Sequence, residues 1–317
     1  MGDIQDQSVR TRAVRFHGYG DPKDVLHLEE TELAAPGTNR IRVRVAACGI
    51  NPADWALCRG LFPGDLPCGV GLDVAGTVDA VGEGVNDLSV GDEVLGHADF
   101  AGAPVAGASD YAILNKWAQR PEALDPVKAA ALPVAIQSAS LHLEVLQVGP
   151  GQTILIHGAG TVVGFFAVQL ALRRGAKVIA TAGETFAERL RALGVPVTMY
   201  GDGMAERVLA LNGGPPDLVL DVAPVGGALP ELIRIAGDPG NVLTFSDFAA
   251  AQELGARYSF GEQMPKDYQV PLGEVAQLAA EGKFEIPISR TFPLAQWSEA
   301  LDVSLSQKAR GKLVLLP

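Results

Sequence analysis

The order of hydrophobic and polar residues changes near residue 126 of this 317-residue chain. Before that point, polar and apolar side chains alternate in short runs, for example at 40–46, 73–82 and 90–96, with Gly, Pro and Asp between the runs. A period of two is typical of half-buried strands. The segment 11–115 is therefore predicted to form an antiparallel, β-rich domain.

After residue 126, strand-like and helix-like segments take turns. Helices broken at Pro133 are predicted over 126–146. Strand-like runs follow at 153–157, 177–181, 195–199, 217–222 and 241–246, and helix-like segments lie at 163–173, 185–193, 203–211 and 227–236. Because such alternation with short linkers produces parallel strands joined by right-handed crossovers, we predict an α/β fold with a doubly wound Rossmann sheet.

The pattern changes again near the end of the chain. It predicts a helix over 268–281, an extended run at 288–292, a helix over 294–306 and a final strand at 313–316. We expect this segment to return to the β-rich domain, which then consists of residues 11–125 and 266–317, with the Rossmann domain, 126–265, inserted in it. Residues 1–10 are predicted to form a loose tail.

One turn in the predicted Rossmann domain points to a ligand. The apolar run 153–157 ends at Gly158-Ala159-Gly160-Thr161-Val162-Val163-Gly164, and a helix-like segment follows. This strand–turn–helix arrangement is typical of dinucleotide binding, because glycine lets the backbone approach a pyrophosphate whose charge sits on N–H groups at the helix start. The spacing is one residue longer than the usual fingerprint, and an ordinary tight turn is the alternative.

Charge and composition exclude several classes of protein. The formal net charge is −12, and Lys and Arg are not clustered, so a nucleic-acid partner is not expected. No apolar run approaches the roughly 18 residues of a membrane span, and the first 12 residues are polar, so we expect no membrane partner and a cytoplasmic location.

The three cysteines, Cys48, Cys58 and Cys68, fit neither a disulfide framework nor a metal site. Their number is odd and nothing in the sequence suggests secretion, while their ten-residue spacing matches no zinc motif. They are expected to be buried free thiols, because free Cys packs as a small hydrophobe.

Several stretches, in matching order, resemble the medium-chain dehydrogenase/reductase superfamily, and most of all its zinc-free quinone oxidoreductase branch. They cover 45–55, 71–85, 90–96, 167–171, 175–181 and 311–316, so the likeness runs over nearly the whole chain. The resemblance implies a GroES-like catalytic domain, a Rossmann domain and an active site in the cleft between them. It also implies a homodimer formed through the edge strand of the Rossmann sheet, for which the run 241–246 is a candidate; an ordinary buried strand is the alternative for that run.

The chain departs from zinc-dependent members of that superfamily at their metal ligands. It has Asn51 where they have Cys, and Gly71-Leu72-Asp73 where they have Gly-His-Glu. Because zinc needs three or four Cys, His or carboxylate ligands, no metal is expected. Zinc-free relatives reduce conjugated acceptors, in which hydride addition sends negative charge to an oxygen that one or two hydrogen-bond donors stabilise.

The resemblance gives two catalytic candidates, Asn51 and Ser138. Asn51 matches a family Asn beside the nicotinamide, so its amide is expected to donate to the cofactor ribose or to substrate oxygen; a turn residue before a proline is the alternative. Ser138 and Ser140 match positions that border the substrate site, and exposed helix serines are the alternative. The family's Tyr is replaced by Ala56, so no proton donor is identified and solvent can supply the proton.

The cofactor is expected to be NADP(H), with NAD(H) as the alternative. The position after the second strand that is acidic in NAD enzymes is Ala182, which leaves room for a 2′-phosphate near Arg189 and Tyr200. Glu184 and the loss of the family's lysine at Phe186 favour NAD(H) instead. The predicted cofactor residues are Asn51, Gly158, Ala159, Gly160, Thr161, Val162, Val163, Gly164, Thr181, Ala182, Gly183, Arg189, Tyr200, Ala223, Phe245 and Ser246.

Within the turn, relatives usually have glycines where this chain has Thr161 and Val162. The Thr161 hydroxyl is expected to contribute a phosphate contact in their place. His157 is expected to satisfy a backbone or core contact, and Lys312 to be a surface residue of the final strand.

Together these features predict a zinc-independent, NADPH-dependent oxidoreductase that transfers hydride to a quinone or an α,β-unsaturated carbonyl compound. An enoyl reductase dedicated to one metabolite is a close variant of this hypothesis. A nucleotide-binding sensor or scaffold with little turnover is the alternative from another class of protein.

Overall fold

The computed structural model describes residues 8–259, 262 and 268–317, and these divide into two units. The first unit is the described part of Met1–Val134 together with Leu272–Pro317, and the second lies within Ala135–Pro271. Residues 1–7 of the predicted tail lie outside the described residues. Val9 and Arg10 are not a tail, because they pair with Leu33 and Glu32 in the first strand pair.

The regular elements follow one another along the chain. The strands are β1 (Val9–Phe16), β2 (Leu26–Leu33), β3 (Ile41–Ile50), β4 (Cys68–Gly69), β5 (Asp73–Val81), β6 (Glu93–Ala98), β7 (Tyr111–Gln119), β8 (Thr153–His157), β9 (Lys177–Thr181), β10 (Val197–Thr198), β11 (Leu218–Asp221), β12 (Val242–Thr244), β13 (Arg257–Tyr258), β14 (Ile288–Pro293) and β15 (Lys312–Leu316). The helices are α1 (Pro22–Val25), α2 (Pro52–Cys58), α3 (Pro126–Ala129), α4 (Pro133–Val145), α5 (Val162–Arg173), α6 (Glu184–Ala192), α7 (Met204–Asn212), α8 (Leu229–Ala236), α9 (Phe248–Leu254), α10 (Leu272–Ala280) and α11 (Trp297–Leu305).

The first unit is β-rich, as predicted, and contains two sheets. One has the order β2-β1-β4, and the other has the order β14-β15-β3-β5-β6-β7, with β3 also pairing with β7. All of these pairs are antiparallel except β14 with β15, which is parallel. The antiparallel prediction for 11–115 is confirmed. The parallel pair belongs to the last segment of the chain, where α11 lies between β14 and β15 and forms a crossover connection.

The second unit is a six-stranded parallel sheet with the order β10-β9-β8-β11-β12-β13. Counted from β8, this is the Rossmann order 3-2-1-4-5-6, and it confirms the predicted doubly wound sheet. The predicted strands 153–157 and 177–181 match β8 and β9 to the residue. The other three are shorter than predicted, and β13 was missed.

The run 241–246 is not an edge strand, so its predicted use as a dimer edge is wrong. Its strand, β12, pairs with β11 on one side and with β13 on the other. The edges of this sheet are β10 and β13. The homodimer itself stays a prediction.

Two other boundaries differ from the prediction. The helix expected over 268–281 begins only at Leu272, directly after Pro271. The strand expected from residue 90 begins at Glu93, because Gly91 has a φ of +98°, which takes the backbone out of the extended conformation.

The three cysteines are free and buried, as predicted. Burial raises the pKa of Cys48 and Cys68 and raises that of Cys58 to about 12. Among the residues that the structure describes, no helix combines the length and the apolar character needed to cross a membrane.

A buried histidine anchors α4 within the second unit. The Nε2 of His142 contacts the hydroxyl of Ser259, and its ring meets that of Phe245 edge-on, with the two ring centroids 5.0 Å apart. Burial lowers the pKa of His142 to about 4. The ring is therefore neutral at neutral pH.

We expect this histidine to make the unit less stable in acid. The pKa of this histidine is about 6.5 in the unfolded chain and about 4 in the folded chain. Between these two pH values the unfolded chain binds a proton that the folded chain does not bind. The wild type should lose about 2 kcal/mol of unfolding free energy between pH 7 and pH 5 from this group alone. Urea unfolding of His142→Phe should lack this loss, whereas a control at exposed His27, His27→Gln, should keep it. An unchanged pH slope in His142→Phe would contradict the assignment.

Candidate functional site

The predicted cofactor residues of the second unit lie at one edge of its sheet. The strands β9, β8, β11 and β12 end beside one another at Thr181, His157, Asp221 and Thr244. The residues that follow these ends include 158–164, 182–183, 223 and 245–246, all of them predicted. Since ligands of open parallel sheets bind outside the carboxyl ends at the switch in strand order, here between β8 and β11, this edge is the candidate cofactor site.

Two glycines of the turn between β8 and α5 are required by the protein's own packing. Gly158 has a φ of +81°, and a Cβ there would lie 2.5 Å from the backbone nitrogen of Ala223. A Cβ at Gly164 would lie 2.3 Å from the carbonyl oxygen of Gly158. Neither position can hold a side chain without moving the backbone.

Gly160 is different from its two neighbours. Its φ lies outside the left-handed region, and a Cβ there would approach no atom closer than 3.7 Å. The protein therefore leaves room for a side chain at this position. A glycine in such a place fits a ligand that approaches the backbone closely.

The start of α5 offers backbone donors to such a ligand. The Thr161 hydroxyl accepts from the Gly164 N–H at 3.0 Å and donates to the Gly158 carbonyl at 2.9 Å, so it is engaged within the turn. The N–H groups of Gly160, Val162 and Val163 have no hydrogen-bond partner within the described part of the chain. Free N–H groups at a helix start bind anions such as phosphate. A phosphate contact by the Thr161 hydroxyl stays a prediction.

A buried polar network fixes the strand ends below the turn. The Nδ1 of His157 lies 2.7 Å from the hydroxyl oxygen of Thr181, which also accepts from the Gly158 N–H at 3.2 Å. The Asp221 carboxylate accepts from the Thr244 hydroxyl at 2.8 Å and from the Ala223 N–H at 3.1 Å. Burial lowers the pKa of His157 and raises that of Asp221. The expected core contact of His157 is confirmed.

The residues after β9 are those predicted to distinguish the two nicotinamide cofactors. Ala182 is buried, and Gly183 precedes α6 as its N-cap. A Cβ at Gly183 would lie 3.9 Å from the hydroxyl oxygen of Tyr200, which is 58% exposed. Glu184 and Arg189 are both exposed on α6, which also exposes Glu188 and Arg191 and so carries charges of both signs.

Past the end of β12, Ser246 has an unsatisfied hydroxyl. Its Oγ is buried and has no hydrogen-bond partner among the described residues, while the neighbouring Phe245 donates its N–H to the Asp221 carbonyl at 2.8 Å. Leaving a buried hydroxyl unpaired costs about 1–3 kcal/mol. Its position at the sheet edge suits a hydroxyl whose missing hydrogen bond is made to a bound molecule.

In the first unit, Asn51 begins α2 and is 6% exposed. The Asp54 carboxylate holds this corner, since it accepts from the N–H groups of Asn51, Gly71 and Leu72 at 2.7–2.9 Å. Asp54 is therefore a structural residue of the corner.

The side chain of Asn51 belongs to a buried charged cluster, the Asn51–Asp73–Lys312 cluster. Its Nδ2 donates to Asp73 Oδ2 at 2.9 Å, and Lys312 Nζ donates to Asn51 Oδ1 at 2.6 Å and to Asp73 Oδ2 at 2.7 Å. Asp73 Oδ1 accepts from the N–H of Val134 at 2.7 Å, so the carboxylate bonds on both sides. The second bond of Asn51 Nδ2, to the Gly49 carbonyl, is 3.5 Å long and weak.

Lys312 was predicted to be a surface residue, and that prediction is wrong. It is 3% exposed, and its strand β15 lies between β14 and β3 inside the sheet. Asp73, the first residue of β5, was likewise missed as its partner. A signal was present: each is a charged residue at the start of a strand, and the two charges are opposite.

The residues of this cluster do not fit zinc. The Asn51 amide is bonded to an ammonium and a carboxylate, and Leu72 offers no ligand atom. Across 8–259, 262 and 268–317 no group of three His, Cys, Asp or Glu side chains is placed to hold a metal ion. A tetrahedral site therefore lacks its donors here.

The second predicted catalytic residue lies in the other unit. Ser138 is half-buried on α4. Ser140 is buried, and its hydroxyl donates to the Ile136 carbonyl, so it is not an exposed helix serine. The catalytic roles of Asn51 and Ser138 stay predictions.

A parallel sheet in Rossmann order with a glycine turn after its first strand defines a dinucleotide-binding α/β protein. Comparison with known families narrows this class. A model of the alcohol dehydrogenase GroES-like domain matches residues 37–117, and one described as zinc-binding dehydrogenase matches residues 193–315.

The chain is similar to proteins named quinone oxidoreductase. One from Pseudomonas aeruginosa is 30% identical over 96% of this chain and 99% of its own length. A chloroplast envelope quinone oxidoreductase homolog from Arabidopsis thaliana is 27% identical over 96% of this chain and 98% of its own. The solved quinone oxidoreductase from Coxiella burnetii is 29% identical, with a TM-score of 0.80 over 98% of this chain and 100% of that one.

The chain therefore belongs to the medium-chain dehydrogenase/reductase superfamily, and it is an oxidoreductase. Its β-rich first unit contains the GroES-like domain, which confirms the resemblance drawn from the sequence.

The contrast among the turn glycines leads to a binding prediction. Gly160→Ala should leave the melting temperature nearly unchanged, because the protein has room for the methyl group, yet weaken NADPH binding by about tenfold, or about 1.4 kcal/mol. Isothermal titration and thermal unfolding measure both effects. Gly164→Ala is the matched control and should destabilise the fold itself. Unaltered NADPH affinity in Gly160→Ala would contradict a ligand at this turn.

Proposed function

We propose that this oxidoreductase is zinc-independent and uses NADPH to transfer hydride to a quinone or an α,β-unsaturated carbonyl compound. The observation that carries the proposal is the bonding of Asn51 to Lys312 and Asp73 at a position where zinc enzymes of the superfamily have a metal ligand. Acceptors that need no Lewis acid suit such a site, and the relatives' names support quinones.

The cofactor side of the proposal rests on the turn after β8. The free N–H groups of Gly160, Val162 and Val163 are placed to hold the pyrophosphate, and the unpaired Ser246 hydroxyl to complete a further contact. The chemistry that the reduced nicotinamide supplies when bound is hydride.

A preference for NADPH over NADH is supported by the residues after β9. Neither Ala182 nor Gly183 carries a carboxylate, so these two positions offer no acceptor to a 2′-hydroxyl and do not repel a 2′-phosphate. Tyr200 and Arg189 are both exposed and carry a hydroxyl and a positive charge. Glu184 opposes the preference.

Asn51 is the donor that we assign to the substrate oxygen. Hydride addition to a conjugated carbon shifts charge onto that oxygen, where a hydrogen bond is strongest in the transition state. The Nδ2 hydrogen aimed at the Gly49 carbonyl is held only weakly, at 3.5 Å, and is the one available for this purpose. The proton that completes the reduction comes from solvent.

The reaction class is tested by the oxidation of NADPH in the presence of 1,4-benzoquinone, 2-cyclohexenone and cyclohexanone. Quinone and enone should be reduced and the saturated ketone should not, with no effect of a strong chelator. Turnover of cyclohexanone alone, or loss of activity in chelator, would refute the proposal. Tight NADPH binding with no turnover of any acceptor would favour the sensor alternative.

Cofactor preference is tested at the N-cap of α6. Gly183→Asp should weaken kcat/KM for NADPH by about tenfold or more relative to NADH, because a carboxylate repels the 2′-phosphate and accepts from a 2′-hydroxyl. Gly183→Asn is the matched control, since both residues suit an N-cap but only Asp is charged. Equal changes in the two variants would contradict a 2′-phosphate at this position.

A further inference from the structure

The buried cluster of the first unit contains a positive charge that the proposed function leaves without a role. The Lys312 ammonium is enclosed by protein and bonded to Asn51 Oδ1 and Asp73 Oδ2. Burying an ammonium and a carboxylate is costly, and such a pair is often no more stable than apolar residues of the same size. A contribution to overall stability is therefore a weak explanation for it.

The surrounding backbone makes room for this lysine. A Cβ at Gly49 would lie 2.8 Å from Lys312 Cε and 2.0 Å from the carbonyl oxygen of Ala130. Gly49 belongs to β3, which pairs with β15 beside Lys312. The strand is thus shaped so that the lysine stem can pass inward to the cluster.

The direction of the Asn51 amide depends on the ammonium. Lys312 has only donor hydrogens, so it accepts no bond and must face the amide oxygen. With Oδ1 turned to Lys312, Nδ2 is turned to Asp73 and to the weakly bonded Gly49 carbonyl. If the ammonium is removed, the amide oxygen loses its donor, and the orientation rests on the acceptors that face Nδ2, the Asp73 carboxylate and the Gly49 carbonyl.

We propose that Lys312 is a positioning residue: its ammonium is a built-in cation that neutralises Asp73 and holds the Asn51 amide with an N–H directed at the substrate oxygen. The role in turnover rests on the proposed function, whereas the charge compensation does not. Asp54 is not part of this compensation, since three backbone N–H groups already satisfy it.

The test compares Lys312→Met with the double variant Asp73→Asn/Lys312→Met. The single variant leaves a buried carboxylate without its cation, so its melting temperature should fall by about 10 °C. The double variant leaves no lone charge and should regain at least half of that loss. In it, however, the Asn51 amide has lost both charged groups that fix its orientation, so kcat should stay about tenfold to a hundredfold below wild type, with the Kd of NADPH unchanged.

The matched control is Lys308→Met, an exposed lysine of the same segment, which should alter neither the melting temperature nor kcat. A double variant that regains both stability and kcat shows a purely structural lysine and overturns the positioning role. A double variant as unstable as the single one overturns the charge compensation. Zinc retained at one ion per chain after dialysis would also overturn the proposal.

Failure of the proposed function is distinguishable from these outcomes. If wild-type protein reduces none of the acceptors, the reaction class is wrong, while the two melting temperatures still decide whether Lys312 compensates Asp73. If wild-type protein is active and the stabilised double variant is equally active, the reaction class stands and the inference about Lys312 fails.

Discussion

The turn from β8 into α5 requires peptide groups to pack against one another with no side chain between them. Gly158 runs against the backbone of Ala223, and Gly164 runs against the carbonyl of Gly158. These two contacts seat the helix on the sheet and bring the segment after β11 against the turn. That close packing places the free N–H groups of the helix start at this edge of the sheet. A methyl group at either glycine would displace the edge on which the cofactor side of the molecule is built.

The first unit contains opposite charges that are buried inside a sheet. Asp73 bonds to the amide of Asn51, the ammonium of Lys312 and the N–H of Val134, so one carboxylate links three segments of the chain. In a low-dielectric interior each of these bonds is strong, and a missing partner is costly. The geometry of Asn51 is therefore set by long-range partners more than by its own turn.

Local patterns explain which elements the sequence could predict. The strands β8 and β9 were predicted to the residue because fully buried parallel strands are apolar runs with glycine close to their ends. β13 was missed because two residues, Arg257–Tyr258, form no run at all. The parallel direction of the strands and the doubly wound class followed from alternation, whereas the order of the strands came from the structure. The candidate cofactor edge was predictable for the same reason, since its residues follow strand ends.

The Asn51–Asp73–Lys312 cluster was beyond such reasoning. Lys312 stands 261 positions from Asn51 and 239 from Asp73, and no local period connects them. From the sequence alone, a lysine at the start of a strand is expected at the surface, because lysine is rarely buried unless it is paired. Only the fold shows that β15 lies inside the sheet and that the side chain turns inward.

The burial of the three cysteines affects how they react with the acceptors proposed above. Quinones and enones are electrophiles that add to thiolates, so an enzyme that handles them is exposed to covalent damage by its own substrates. The thiolate, not the thiol, is the nucleophile. All three cysteines of this chain are enclosed, and burial raises the pKa of each. The interior thus keeps its sulfur atoms protonated and out of reach of the compounds that the enzyme is proposed to reduce.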